Sequence, residues 1–167
     1  MIALSLGELQ GNRVILRPEL ADGLPPVAGD RVQLQQVILN LLRNALDAMR
    51  AVDDRPRQLA IRTEQDEGDF VRLTVQDTGV GIDSQNLDRL FDAFYTTKSA
   101  GMGMGLSVCR SIIERHRGRL WAVSNDGPGA TFSFSIPRGF EGVTGTHNLG
   151  AIQAPAVTDA AKVMRKS

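Results

Sequence analysis

Apolar residues in the segment 30–49 recur at steps of three and four positions, the spacing of an amphipathic α-helix. Asp30 followed by Gln33 predicts a capping box at its start, in which each side chain satisfies a backbone N–H of the first turn. A stripe of this kind must face a core, so this is the principal helix that the sequence predicts. The stripe consists of Leu34, Val37, Ile38, Leu41, Leu42, Ala45 and Met49.

Three polar side chains fall together beside this apolar stripe. At 100° per residue, Asn40, Asn44 and Asp47 share one edge of the helix. Asparagine is a mediocre helix former whose side chain competes for backbone hydrogen bonds, so two of them in mid-helix need a reason. A solvated face is the simpler interpretation of the helix alone, and a cleft lined by amides is the alternative.

Alternation of apolar and polar residues predicts five strands. The turns 64–69 and 125–129 join the last four strands into two hairpins, and Pro137 ends the last of them. In the first strand the apolar positions precede Pro18, and a loop then leads to the principal helix. The predicted strands are 13–19, 58–63, 70–76, 119–124 and 130–136.

Two further helices are predicted between the hairpins. Ser84 is a candidate cap for a short helix that runs to about Phe91, and 106–115 carries a second amphipathic pattern. The segment 91–106 has no usable period and is expected to be a mobile loop. We expect a lead-in or linker at 1–12, one domain at 13–138 and a tail or linker at 139–167.

Composition limits the classes of function. At 167 residues and 42% hydrophobic content, one domain with its own core is expected. Acidic and basic residues number 19 each, which argues against nucleic acid or an anionic membrane as partner. Cys109 is the single cysteine, so zinc and disulfide frameworks are excluded. No run approaches the roughly 20 apolar residues of a membrane span and no signal-peptide pattern follows Met1, which predicts a cytoplasmic chain.

A carboxylate and two glycines follow the third predicted strand. Asp77 can accept a hydrogen bond from an exocyclic amine, while Gly79 and Gly81 let the backbone approach a flat ring. That combination suits adenine. An ordinary Asp-x-Gly turn is an equal alternative for these residues in isolation.

A second glycine motif leads into the second long helix. Gly101, Gly103 and Gly105 precede Leu106, and backbone N–H groups at such a helix start favour an anion. A flexible loop without a ligand is the alternative. No strand precedes these glycines and no G-x-x-x-x-G-K-[ST] occurs, so the dinucleotide and Walker folds are disfavoured.

Other side chains are candidates for a phosphate site. Asn44 offers a neutral oxygen to Mg²⁺, an ion that usually takes one or two protein ligands beside phosphates and water. Lys98 and Arg43 are candidate phosphate cations, although exposed solvated charge is the simpler interpretation of each.

Four segments in order, NLLRNALDAM, DTGVGI, LFDAFYTTK and GMGMGLSVCRSIIERH, resemble the N, G1, F and G2 boxes of sensor histidine kinases. These boxes belong to the ATP-binding catalytic domain, within the GHKL superfamily. The match is best with the nitrogen-regulating and oxygen-sensing type. The resemblance covers about 14–137 and implies an α/β (α+β two-layer) sandwich of the Bergerat type, with a mixed sheet of about five strands backed by helices.

The resemblance also implies roles for individual residues toward ATP and Mg²⁺. Asn44 would be the magnesium ligand and Asn40 its partner in positioning the phosphates. Asp77 would hold the adenine amino group with support from Thr131, and Gly79 and Gly81 would lie beside the ring. The remaining implied members are Gly101, Gly103, Gly105 and Leu106 at the lid, Lys98 toward the phosphates, and Phe91 and Phe94 as aromatics that pack the lid.

Three positions depart from the family pattern. Ala93 replaces a frequent proline, which predicts a looser entry to the lid. Arg117 precedes Gly118 where relatives have two glycines, and a left-handed helix end there would cost roughly 1 kcal/mol. Asp47 stands where many histidine kinases have lysine, which removes a phosphate contact from this helix.

The choice among related functions depends on Asn40. The ATP-hydrolysing members of the superfamily, and usually the anti-sigma serine kinases, have glutamate there, and an amide cannot act as a general base. Phosphoryl transfer to a histidine on a separate dimerisation domain is therefore expected, with a response regulator as the indirect partner. His116 and His147 lack the sequence context of a phosphoacceptor. A non-catalytic nucleotide-dependent interaction module is the alternative of a different class.

Overall fold

The computed structural model describes residues 13–87, 89–95 and 104–139. Five strands and two long helices make up most of this part of the chain. No helix in these ranges is long and apolar enough to cross a membrane. In chain order the elements are β1 (Val14–Leu20), α1 (Arg31–Arg50), β2 (Arg57–Asp66), β3 (Phe70–Asp77), α2 (Gly105–Arg115), β4 (Arg119–Ser124) and β5 (Ala130–Pro137).

The strands form one mixed sheet in the order β1-β2-β3-β5-β4. β1 runs parallel to β2, and the other neighbouring strands are antiparallel. Alternate residues such as Leu73, Val75 and Phe132 join the side chains of α1 and α2 in one apolar core. The helices therefore cover one face of the sheet, which confirms the predicted α/β sandwich.

The apolar stripe of α1 is wider than the sequence predicted. Leu46 is buried although it was not assigned to the stripe, whereas Ile38 and Leu42 are only partly buried. The reason is that α1 packs against the sheet on one side and α2 on the other. Two neighbours leave the polar edge with Asn40 and Asn44 half-buried rather than fully solvated.

The capping box predicted at the start of α1 is only half correct. The Asp30 carboxylate accepts the backbone N–H of Gln33 at 2.9 Å. The backbone N–H of Asp30 itself donates to Nε2 of His116 at 2.9 Å, and not to the Gln33 side chain. Since Nε2 accepts, the proton resides on Nδ1, which lies 2.7 Å from the carbonyl oxygen of Ile112.

His116 thus joins the end of α2 to the beginning of α1. Its ring packs so closely on Gly29 that a Cβ there would lie 2.6 Å from the ring carbon Cδ2. With one ring nitrogen on each helix, the side chain fixes the relative position of the two helices.

One predicted element is wrong, and the others differ by a few residues at their ends. β1 runs through Pro18 to Leu20, within one residue of the predicted 13–19, because an edge strand tolerates a residue without an N–H. The helix predicted from Ser84 to about Phe91 is only a 3₁₀ turn, Ser84–Asn86, followed by irregular turns. The side chain that accepts a backbone N–H at its start belongs to Asp83, which bonds Gln85 at 3.0 Å. The smaller differences are that β2 extends to Asp66 and that α2 starts at Gly105.

The end of α2 confirms the left-handed position suspected at Arg117, whose φ is +57°. The N–H of Arg117 bonds the carbonyl of Glu114, and the N–H of Gly118 bonds that of Ile113, both at 2.9 Å. This pair of bonds is a Schellman motif, in which the left-handed position usually holds glycine.

We predict that Arg117→Gly raises the free energy of unfolding by about 1 kcal/mol, because it relieves the clash of Cβ with the backbone in the left-handed region. Urea unfolding at neutral pH measures the change. Arg117→Ala is the matched control, since it removes the charge and keeps Cβ, and it should give no such gain. Equal stabilisation by both variants would mean that charge and not backbone conformation is responsible.

Candidate functional site

Asp77 ends β3 with its carboxylate inside the fold, and only 1% of the residue is exposed. The carboxylate accepts the backbone N–H of Gly79 at 2.8 Å and is also bonded by the backbone of Ala130. Burial raises the pKa of Asp77 above its usual value, although these two N–H groups oppose the rise. A buried carboxylate of this kind retains acceptor capacity for a donor from a ligand.

The loop after Asp77 is attached directly to α1. A Cβ on Gly79 would lie 2.7 Å from backbone and side-chain atoms of Ala48, so only glycine fits at this approach. The N–H of Val80 donates to the carbonyl of Ala48 at 3.1 Å. The Arg55 guanidinium donates to the carbonyl oxygens of Gly79 at 3.0 Å and Thr78 at 3.3 Å. Sequence analysis missed Arg55, because nothing in a turn sequence indicates which carbonyls an arginine will reach.

Thr131 is linked to Asp77 through Asn125. Its hydroxyl donates to Oδ1 of Asn125 at 2.7 Å, and Nδ2 of Asn125 donates to the backbone carbonyl of Asp77 at 3.0 Å. The side chain of Thr131 therefore supports the backbone at the end of β3. Sequence analysis did not single out Asn125, because asparagine in a hairpin turn is ordinary.

The two asparagines lie on the face of α1 that continues from this loop. Asn44 stands one turn before Ala48, and Asn40 stands one turn before Asn44. Nδ2 of Asn40 lies 3.5 Å from Sγ of Cys109 on α2. The edge predicted from the sequence thus faces α2 at one end and the loop after β3 at the other.

The start of α2 lies one turn before Cys109. Met104 is the N-cap residue, and within the part of the chain that the structure describes no side chain caps the first N–H groups of the helix. Gly105 has open space where a Cβ would stand. Such a helix start keeps backbone donors available to an anion. Three other members of the predicted lid, Lys98, Gly101 and Gly103, lie outside the described residues.

These contacts form one continuous path across the molecule. It runs from the loop at Gly79 to Ala48, along about 12 Å of α1 to Asn40, across to Cys109, and back one turn to Gly105. The strand-end carboxylate, the amide edge and the uncapped helix start therefore border one region. All of these contacts lie on the face of the sheet that the helices cover.

The two phenylalanines differ in their surroundings. Phe91 packs partly buried against the core, with the Arg110 guanidinium 6.0 Å from its ring centre. Phe94 is 76% exposed and has a φ of +66°, a left-handed turn that directs its side chain outward. Packing of both aromatics against the lid was expected, and since 96–103 lie outside the described residues, that expectation stays a prediction. Ala93 is exposed beside Phe94.

Two charged side chains of α1 lie near the amide edge. Asp47 forms an ion pair with Arg50 at 3.2 Å on its own helix. Arg43 is exposed. Within the described ranges, no group of three or more His, Cys, Asp or Glu side chains is placed to hold a metal ion.

A shallow depression of about 560 Å³ lies at the end of the sheet, beside the turn between β4 and β5. Its lining includes the exposed side chains of Gln76 and Val123, which alternate with core residues and so point away from the helices. Asp126 at the turn is exposed as well. Asp77, Thr78 and Asn125 also line the depression, so it adjoins the end of β3 and the loop that follows.

Comparison with known proteins agrees with this arrangement. The family model described as histidine kinase-, DNA gyrase B-, and HSP90-like ATPase matches residues 29–139. The sensor protein FixL of Bradyrhizobium diazoefficiens is 46% identical over 135 residues, which cover 81% of this chain and 26% of FixL. The sensor histidine kinase TmoS of Ectopseudomonas mendocina is 44% identical over 129 residues, which cover 77% of this chain and 13% of TmoS. The chain thus spans a minor part of either relative.

Solved structures give the same result. The catalytic domain of histidine kinase ThkA matches with a TM-score of 0.71 and 32% identity, over 81% of this chain and 86% of that one. A structure of ThkA in complex with the response regulator protein TrrA matches with a TM-score of 0.68 and 29% identity, over 82% of this chain and 38% of that one. These findings confirm the resemblance seen in the four sequence boxes. The chain belongs to the histidine kinase-, DNA gyrase B- and HSP90-like ATPase family, and within it to the group formed by the catalytic domains of sensor histidine kinases.

Proposed function

We propose that this domain binds ATP with Mg²⁺ and positions it for transfer of the γ-phosphate to a histidine on a separate dimerisation domain. The observation that carries the proposal is the contact path from Gly79 through Ala48 and Asn40 to Gly105. It links the loop after β3, the amide edge of α1 and the start of α2, to which we assign the purine, the metal ion and the phosphates. Phosphoryl transfer depends chiefly on positioning and electrostatic stabilisation, which such an arrangement supplies.

Asp77 would bind the purine. Its carboxylate accepts the exocyclic amine of adenine, while Gly79 and Gly81 allow the ring to approach the backbone. Since only 1% of Asp77 is exposed, the amine reaches the carboxylate only when the side chains around it part. Thr131 acts at one remove, through Asn125.

The phosphates would lie between α1 and the start of α2. The uncapped N–H groups at Gly105 and Leu106 favour the negative charge, and we assign Gly101, Gly103 and Lys98 to the same end. Asn44 would hold Mg²⁺ through its carboxamide oxygen, with Asn40 beside it. When bound, the ion neutralises phosphate charge and fixes phosphate geometry.

The amide at Asn40 favours a kinase over a hydrolase of the same family. A glutamate can activate water for attack, whereas an amide has no basic form at neutral pH. The ATPase and serine-kinase alternatives therefore lack their base in this chain. A nucleotide-dependent interaction module that performs no chemistry is the remaining alternative.

The phosphoacceptor would come from another domain of the parent protein. His116 has both ring nitrogens engaged, by Asp30 and by Ile112. His147 lies outside the described residues. The structure of ThkA in complex with TrrA supports a response regulator as the downstream partner. Because ATP is the phosphate donor, we assign the reaction to the cytoplasm.

Radiolabelled ATP tests the proposal. We expect no label on the chain alone, and label on the histidine of the parent's dimerisation domain when that purified domain is added. Phosphate on a histidine is lost in acid and kept in alkali, which identifies the product. Label on His116 or His147, or release of inorganic phosphate without transfer, would contradict the proposal. Binding without either reaction would favour the interaction module.

We predict that Asp77→Asn weakens ATP binding by tenfold or more, because a charge-assisted hydrogen bond to the purine is lost. Calorimetric titration measures the affinity. Asp22→Asn, which removes an exposed carboxylate in the turn after β1, is the matched control and should bind as the wild type does.

The pH dependence of ATP affinity follows from the raised pKa of Asp77. ATP favours the ionised carboxylate, so affinity should fall as pH decreases through this pKa, and Asp77→Asn should lack the fall.

The free energy of unfolding should depend on pH in the opposite direction to ATP affinity. A raised folded-state pKa gives stability that is full below the unfolded pKa and is lost as pH rises through the folded one. Asp77→Asn should therefore not destabilise the fold at neutral pH.

We predict that Asn44→Ala removes most of the gain in ATP affinity that Mg²⁺ produces, by about tenfold, because a metal ligand is lost. ATP affinity without Mg²⁺ should change little. Paired titrations with and without Mg²⁺ separate the two effects. Gln36→Ala, at an exposed position of α1, is the control for the amide-to-alanine change in a helix. An unchanged magnesium effect in Asn44→Ala would remove Asn44 from the site.

A further inference from the structure

Cys109 contacts the amide edge from the opposite helix. It is fully buried on the face of α2 that packs against α1. Its sulfur lies 3.5 Å from Nδ2 of Asn40, within the range of a hydrogen bond to sulfur. Sequence analysis took this cysteine to be a small core residue, so the contact adds a polar role to a packing position.

The contact determines which end of the Asn40 carboxamide faces α2. An amide N–H is a strong donor and a thiol S–H is a weak one, so the amino end of the amide faces the sulfur. The carboxamide is planar, and its oxygen and nitrogen are bonded to the same carbon and point in different directions. Once the amino group is engaged with Cys109, the oxygen is turned away from that sulfur.

The position also requires a side chain that packs in the core. Cys109 is fully buried in the apolar cluster formed by the sheet and the two helices. Cysteine packs like a small apolar residue and still accepts a hydrogen bond, which alanine and valine do not.

We propose that Cys109 is a positioning residue that holds the Asn40 carboxamide with its oxygen toward the bound metal and triphosphate. Asn40 then acts as an acceptor for Mg²⁺ or for a water on it, and not as an N–H donor to phosphate oxygen. The inference rests on the proposed function and assigns a direction to one of its groups. A flipped amide would present its amino group to the cation and would oppose binding.

Paired calorimetric titrations of ATP with and without Mg²⁺ test the inference on Cys109→Ala, Cys109→Ser and wild type. Cys109→Ala should reduce the magnesium-dependent gain in affinity about fivefold, the worth of one ordinary hydrogen bond. It should leave affinity without Mg²⁺ within about twofold. Cys109→Ser keeps an acceptor and should retain most of the gain. Ile113→Val, a buried truncation on the same helix that leaves the acceptor in place, should retain the gain despite a comparable loss of packing.

A double-mutant cycle with Asn40→Ala separates positioning from packing. If Cys109 acts through Asn40, Cys109→Ala has no further effect on the magnesium gain once Asn40 is absent. The nucleotide-free protein gives a second readout, since the side-chain amide resonance of Asn40 should move in Cys109→Ala and stay in Ile113→Val.

Equal magnesium gains in wild type and Cys109→Ala would overturn the inference and leave ATP binding intact. Additive losses in the double variant would overturn it as well, because they would mean that Cys109 acts on packing. Absence of ATP binding in the wild type would instead refute the proposed function, and the inference with it.

Discussion

The position of α1 between two neighbours is the constraint on which the site depends. On one side the helix is held by the close approach of Gly79 to Ala48, where a single Cβ would collide with the backbone. On the other it packs against α2, where Asn40 meets Cys109 and His116 bonds the start of the helix. Since α1 is held on both sides, its rotation about its own axis is fixed, and so is the direction of its polar edge. Interiors are close-packed, so a shift of α1 would alter both contacts together.

Burial of the Asp77 carboxylate is unfavourable for folding. A carboxylate that is 1% exposed loses hydration, and two backbone N–H groups replace it only in part, as the raised pKa shows. An apolar residue would suit the end of β3 better if packing alone mattered. The arrangement resembles other functional sites in which burial shifts a titratable group. Arg55 and Asn125 hydrogen-bond the backbone around it, at the carbonyls of Gly79 and Asp77.

Local periodicity predicted most of the fold, because the spacing of apolar residues within each segment is enough to identify α1, α2 and the two hairpins. It failed at Ser84, where a cap-like residue is followed only by a 3₁₀ turn. The site was predicted as a set of residue types from a family resemblance. The hydrogen bonds between these residues were not predicted, because those of His116 to Asp30 and of Asn40 to Cys109 join residues 86 and 69 positions apart. No pattern in a single sequence identifies such pairs.

Nuclear magnetic resonance mapping of amide shifts during titration with Mg²⁺ and a non-hydrolysable ATP analogue tests the central claim most directly. If one region binds the nucleotide, the amides of Gly79, Gly81, Asn44 and Gly105 shift together and saturate at one ligand concentration. Shifts confined to residues 126–128 of the turn between β4 and β5, or separate affinities at the loop after β3 and at the start of α2, would contradict a single nucleotide site.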